Sequence, residues 1–212
     1  MAAVLLAPTC AACRQPLEHP THGAVCAACW DAIVPTTPLG AASFPPLISR
    51  AMAIGPYEGT LKAVVHALKY DPRRTIAKHL ASRMRARAGE ILDEADAVVP
   101  VPLHPGRERA RGFNQARELA RHLELPLLDV VVRTRRTASQ ADLPAAKRES
   151  NVRGAFALAK GARSLEGLVV VLVDDVSTTG ATLNACAAPL LAAGVKEVRA
   201  LTAARAPLRA AG

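Results

Sequence analysis

The 212-residue sequence predicts an α/β fold with a mostly parallel sheet, and three observations carry the prediction. First, Val169-Val-Val-Leu-Val173 is an unbroken apolar, largely β-branched run, as expected of a strand buried on both faces. Second, Asp174-Asp175, small hydroxyl residues and Gly180 follow directly, and then a helical pattern begins. Third, further short apolar runs near 51–57, 97–102, 130–132 and 198–203 are separated by helical periodicity, which is strand–helix alternation.

Composition bounds the rest. Half of the residues are apolar, yet only 3% are aromatic, so the core must be built from Ala, Val and Leu. A net charge of +9 suggests polyanionic partners, phosphorylated metabolites or nucleic acid, with an Arg-rich and Ala-rich proteome as the plainer source. No stretch approaches the ~20 apolar residues of a membrane helix. The opening Met-Ala-Ala-Val-Leu-Leu-Ala lacks a basic start and is short for a secretory segment, so a cytoplasmic protein without membrane insertion is expected.

Taken in order, the chain first shows Cys10-Ala-Ala-Cys13 and, after twelve residues, Cys26-Ala-Ala-Cys29. Two such knuckles suit a structural, tetrahedral zinc site in which Cys10, Cys13, Cys26 and Cys29 fill every position. A disulfide framework competes, but it needs an oxidising compartment. His19 and His22 lie between the knuckles and read as exposed loop residues. The domain plan is a zinc module at 1–34, a proline-rich connector at 35–50 and one larger domain at 51–212.

Leu61, Val64, Val65 and Leu68 recur at helical spacing until Asp71-Pro72, where the helix is expected to stop. A second helix puts Ile76, Leu80 and Met84 inward and Arg73, Arg74, Lys78, Arg83, Arg85 and Arg87 outward. That basic face is either solvated or faces a nucleic-acid backbone. Ala97-Val-Val-Pro-Val-Pro102 reads as a strand entering a loop that carries Arg107, Arg109 and Arg111 beside Gly106 and Gly112. Guanidinium forks suit phosphate oxygens, and glycine allows close approach. If this strand neighbours the Asp174–Asp175 strand, its loop faces the same crevice.

After a short strand at 130–132, residues 135–153 form a long basic segment with Arg135, Arg136 and Arg148, read as a mobile lid or as solvated disorder. Leu183, Cys186, Ala187, Leu190 and Leu191 mark the last helix, with Gly194 closing it and Pro189 expected to kink or shorten it.

Ligands of open α/β sheets bind outside the carboxyl ends of the strands, and helix N-termini favour phosphate. Asp174 and Asp175 can accept from a sugar diol or hold a divalent metal. Ser177-Thr-Thr-Gly-Ala-Thr182 offers the phosphate cradle. This run resembles the phosphoribosyl-pyrophosphate (PRPP) motif of type I phosphoribosyltransferases. The paired knuckles, the Pro-Val-Pro…Arg-Gly-Phe-Asn-Gln block, Tyr57-Glu-Gly…Leu68-Lys69-Tyr70, and Thr137…Gln140…Arg148…Asn151-Val152…Phe156 extend the likeness over about residues 10–205. Together they are similar to the ComF/GntX-like family, zinc-finger-bearing phosphoribosyltransferase-like proteins linked to DNA uptake in natural competence.

The resemblance implies a type I phosphoribosyltransferase fold with PRPP and Mg²⁺ as ligands. By it, Asp174 and Asp175 hold the ribose hydroxyls, and Ser177, Thr178, Thr179, Gly180, Ala181 and Thr182 hold the 5′-phosphate. It also implies that Arg109 and Arg111 lie near the pyrophosphate, and the lid's Arg135, Arg136 and Arg148 are expected to help stabilise its departure. Two functions follow as expectations. One is transfer at ribose C1, with Asp174, Asp175, Arg109, Arg111 and Arg148 as candidate catalytic residues. The other is a single-stranded-DNA-binding competence factor, meeting other competence proteins, that keeps the PRPP site as a sensor or relic. Trp30, Phe44, Tyr57, Tyr70, Phe113 and Phe156 are the only aromatics, so DNA binding would lean on phosphates and weaken with salt. A third reading makes the zinc module only a staple on the fold.

Overall fold

The computed structural model describes residues 8–35, 45–70, 75–135, 137 and 145–207. In chain order these form α1 (Ala27–Asp31), β1 (Ala51–Pro56), α2 (Gly59–Tyr70), α3 (Thr75–Ala88), β2 (Ala97–Pro100), α4 (Pro105–Arg111), α5 (Gln115–Ala120), β3 (Val131–Arg133), α6 (Ala145–Val152), β4 (Phe156–Leu158), β5 (Val169–Ser177), α7 (Ala181–Ala192) and β6 (Glu197–Arg205). Asp71-Pro72, Arg73, Arg74, Arg136 and Gln140 lie outside the described residues.

The main sheet has the order β1-β6-β5-β2 and is parallel throughout. β5 therefore sits beside β2, with Leu172 opposite both Val99 and Ala200. The strand alternates between two cores. Val169, Val171 and Val173 pack with α2 and α3, whereas Val170 and Leu172 pack with α7. Both faces are covered by helices, which is why the run is apolar without alternation. A separate antiparallel pair, β3 and β4, lies on the α7 side.

Local chemistry departs from the expected pattern in four places. β5 does not end at Val173 but continues through both carboxylates to Ser177, because β6 pairs with it as far as Arg205. The arginine-bearing loop contains a helix, α4: Pro105 starts it, His104 Nδ1 accepts from the Gly106 N–H, and left-handed Gly112 ends it. β4 is an added strand, with too few residues to show a period. Pro189 lies within α7, which runs on to Ala192 and is closed by Gly194 as expected.

The cysteine module is not a separate bead. Cys10, Val25, Cys29 and Trp30 are buried in the same core as Ile76, Leu80 and Met84 of α3. The Arg83 guanidinium lies over the Trp30 ring at 4.9 Å, and His79 tilts against the same ring. Arg85 pairs with Glu124, and Arg87 donates to the Ile54 carbonyl at 3.1 Å. Much of the basic face of α3 is thus spent on internal contacts.

At the far end of the sheet, Arg199 is only 2% exposed. It donates to the Glu197 carboxylate and to the carbonyls of Glu90, Ile91 and Asp93. A buried charge requires such full pairing.

Candidate functional site

The adjacent residues Asp174 and Asp175 continue the alternation of β5 and so find different neighbours. Asp175 meets Lys69, from the last turn of α2, with Nζ 3.0 Å from Oδ2. Both side chains are mostly buried, and the ammonium lies 5.9 Å from the Tyr57 ring centroid. Burial opposes the charge on Lys69, but Asp175 more than offsets it and raises the lysine above its ordinary range. Asp174 has no ion pair among the described residues; its Oδ1 accepts the Asp175 N–H at 2.8 Å. Burial, then the charge of Asp175, raises its carboxyl to about 7, with Lys69 and Arg133 pulling the other way.

Beyond the carboxylates the chain turns through Ser177-Thr-Thr-Gly180 into α7. Gly180 adopts a φ of 75°, where a side chain is strained, and Thr179 Oγ1 accepts the Ala181 N–H. A Cβ at Gly180 would collide with Pro45 Cγ, so the connector's proline packs on the turn. Ser177, Thr178, Thr179 and Gly180 line a small cavity with Pro45, Thr202 and Arg205. Ser177 and Thr202 hydroxyls are 3.3 Å apart, and Arg205 stands opposite Ser177 in the β5–β6 register. Ala181 and Thr182 open the helix itself.

The β2 loop does face the same crevice, because β2 pairs with β5 and the Val101 N–H still bonds the Val173 carbonyl. Asn114 secures that loop: it donates to the Val101 carbonyl at 3.0 Å and caps α5 through its other amide atom. The arginines separate. Arg109 is exposed, Arg111 donates to Gln115 Oε1 at 3.0 Å, and Arg107 turns toward Thr137. Arg148 is half-buried on α6, and Arg135 donates to the carbonyls of Asn151 and Arg153 at that helix's end.

Sequence reasoning assigned no role to Lys69, Arg133 or Arg205. Lys69 stood inside the Leu68-Lys69-Tyr70 motif, and its place at the end of an otherwise apolar face was the available signal. Arg205 ends β6 of the parallel sheet, at the edge where strand residues meet ligands in such sheets, whereas Arg133 ends β3 of the separate antiparallel pair and carried no such signal.

The four thiols form the second cluster: the Sγ atoms of Cys10, Cys13, Cys26 and Cys29 all lie within 4.8 Å of one another. Cys13 and Cys26 sulfurs are 3.8 Å apart, matching the ~3.8 Å edge of a tetrahedron with ~2.3 Å Zn–S bonds. Backbone N–H groups of Ala12 and Cys26 point at the Cys10 sulfur. Against the effect of burial, the backbone donors of Cys13, Cys26 and Ala12 lower that thiol to about 6. The donor set and spacing fit zinc.

Residues 96–210 match the phosphoribosyl transferase domain family. The chain is 35% identical to "Competence protein F" of Haemophilus influenzae, over 76% of this chain and 75% of that protein. It is 33% identical to "DNA utilization protein YhgH" of Salmonella typhimurium, over 90% of this chain and 93% of that one. To "Competence protein ComFC" of Bacillus subtilis it is 28% identical, over 70% of this chain and 60% of that one. No described helix is long and apolar enough to cross a membrane. With a parallel sheet flanked by helices, four clustered cysteines and these relatives, the chain belongs to the phosphoribosyl transferase domain family, in the group of the competence F and DNA utilization proteins.

Proposed function

We propose that this chain binds PRPP with Mg²⁺ at the carboxyl edge of β5 and displaces pyrophosphate from ribose C1, in the cytoplasm. One observation carries the reading: Asp174 and Asp175 lie near the end of β5 a short turn before α7, beside the loop leaving β2. In this reading the carboxylates accept from the ribose hydroxyls, and the turn from Ser177 to Thr182 takes the 5′-phosphate. As the C1–oxygen bond to the diphosphate breaks, positive charge grows on the ring, and the fixed carboxylates stabilise it. The acceptor's lone pair forms the new bond to C1, and the diphosphate leaves with the old bonding pair. Arg109, Arg111 and Arg148 add positive potential around that departure.

Magnesium, when bound, would neutralise the diphosphate. Carboxylate oxygens suit so hard a cation, but Asp175 is already paired with Lys69. The ion is therefore expected to arrive with its diphosphate.

Calorimetric titration of PRPP with Mg²⁺ tests the proposal. Saturable binding by wild type, weakened at least tenfold in Asp174→Asn/Asp175→Asn, is expected. No binding by wild type would sink it.

The names of the relatives favour a second reading, a single-stranded-DNA-binding factor. The internal contacts of Arg83, Arg85 and Arg87 leave less of α3 for it. Affinity for single-stranded DNA that falls steeply with salt would support this reading. The division at 1–34, 35–50 and 51–212, with zinc in the first part, belongs to the same proposal. Limited proteolysis after chelation tests it by cutting first between those parts.

A further inference from the structure

Lys69 enters the crevice from outside the strand that carries the two acids. Leu61, Val64, Val65 and Leu68 anchor α2 in the core, so the lysine stem starts from a fixed point. Its ammonium reaches Asp175 Oδ2 at 3.0 Å, with both side chains mostly buried. The Tyr57 ring, 5.9 Å from Nζ, is a second neighbour that favours a cation. Asp174 feels the same charge: burial and Asp175 raise its carboxyl, and Lys69 draws it down. One ammonium thus acts on both acids.

Stability alone is a poor reason for this pair. Desolvation of two ions offsets much of their attraction, and apolar residues of similar volume often serve a fold as well. The other inward positions of α2 named above are apolar, so a leucine or methionine would suit the helix. The location supplies a better reason, because the pair sits where adjacent carboxylates would meet a sugar diol. Neighbouring carboxylates repel each other, and a divalent cation is one way to neutralise them. Mg²⁺ demands a near-octahedral set of oxygens. Among the described residues no third His, Cys, Asp or Glu joins Asp174 and Asp175 at ligand spacing; only the four thiols form such a group. An ammonium makes no such demand. It lowers the local charge, and it grips the carboxylate through one oxygen while the other stays oriented as an acceptor.

We propose that Lys69 is a positioning residue for the ribose diol, a built-in cation that takes the place of a protein-bound divalent ion beside Asp175. The sugar is then held without a metal, and Mg²⁺ serves the diphosphate alone. This role rests on the PRPP reading above and separates the two parts of the ligand by their need for metal.

Ribose 5-phosphate is titrated calorimetrically into wild type, Lys69→Arg, Lys69→Gln and Lys69→Met, without added Mg²⁺ and at saturating Mg²⁺. PRPP with Mg²⁺ is run alongside, and circular dichroism and melting temperature check each variant first. Wild-type affinity for ribose 5-phosphate should stay within about twofold when Mg²⁺ is added. Lys69→Gln and Lys69→Met should bind it about tenfold or more weakly without Mg²⁺, and Mg²⁺ should restore most of the loss by entering the vacated place. Lys69→Arg should remain within about threefold of wild type and indifferent to Mg²⁺. A merely structural role would lower the melting temperature but create no response to Mg²⁺. Equal affinity in folded Lys69→Gln, or a loss that Mg²⁺ does not restore, overturns the role. So does a wild type that needs Mg²⁺ to bind ribose 5-phosphate, a comparison that decides the matter even if the neutral variants unfold. A wild type that binds PRPP but fails this comparison leaves the PRPP reading standing. One that binds ribose 5-phosphate through Lys69 but does not bind PRPP supports the role and refutes that reading.

Discussion

Lys69 and Asp175 meet at 3.0 Å across the crevice, joining the last turn of α2 to the end of the central strand. The pair explains how two neighbouring acids can share a partly buried site: one has a resident cation, and the other shifts its titration.

Removing only one partner strands the other's charge. Lys69→Met should therefore destabilise the fold by on the order of 3 kcal/mol in urea denaturation. Lys69→Met/Asp175→Asn should recover most of that loss. Additive losses would show that the two residues act independently.

Asp174 should make stability fall as pH rises. Its folded value, about 7, lies above the 3.8 of the unfolded chain, so the folded form holds a proton that the unfolded form has lost between those values. The contribution is full below about pH 4 and disappears as pH passes through about 7. Asp174→Asn should flatten this slope and stabilise the protein at higher pH, while weakening PRPP binding. Thermal melts on either side of the folded value check the sign, and an unchanged slope would refute it.

Zinc removal should be felt in α3. Trp30 is the sole tryptophan and packs against His79 and Arg83. A strong chelator, or Cys29→Ala, should shift Trp30 emission to the red and lower the melting temperature, since structural zinc contributes several kcal/mol. Elemental analysis of the purified protein should give one zinc per chain.

Gly180→Ala should misplace the phosphate turn. The left-handed backbone penalises any side chain, and Pro45 occupies the space a methyl group needs. A loss of about 1–2 kcal/mol and weaker ribose 5-phosphate binding are expected. Pro45→Gly should relieve the steric part and leave the backbone part.

Much of this site was legible because its signals are local. The apolar run Val169–Val173, the paired acids after it and Gly180 lie within a dozen residues, so strand, turn and helix start could be read directly. The cysteine spacing was equally local. What stayed hidden depends on contacts between distant segments. Nothing near Lys69 indicates that it will reach Asp175, and nothing near Arg133 indicates that Arg107 will reach the same Thr137. β5 ran past its expected end because β6 pairs with it, a partner no single segment specifies. In α4, a seven-residue helix hid behind Gly, Pro and Arg, whose composition alone suggests a loop.

The Arg199 clamp carries a consequence for how fast the molecule comes apart. Its bonds to Glu90 and Asp93 join positions 109 and 106 residues apart in the chain. Closing so long a loop is costly in entropy, so the contact is expected to form late in assembly. Arg199→Met should accordingly accelerate unfolding far more than it slows folding. The guanidinium would then act as a latch on lifetime, setting how long a folded molecule survives before it first opens.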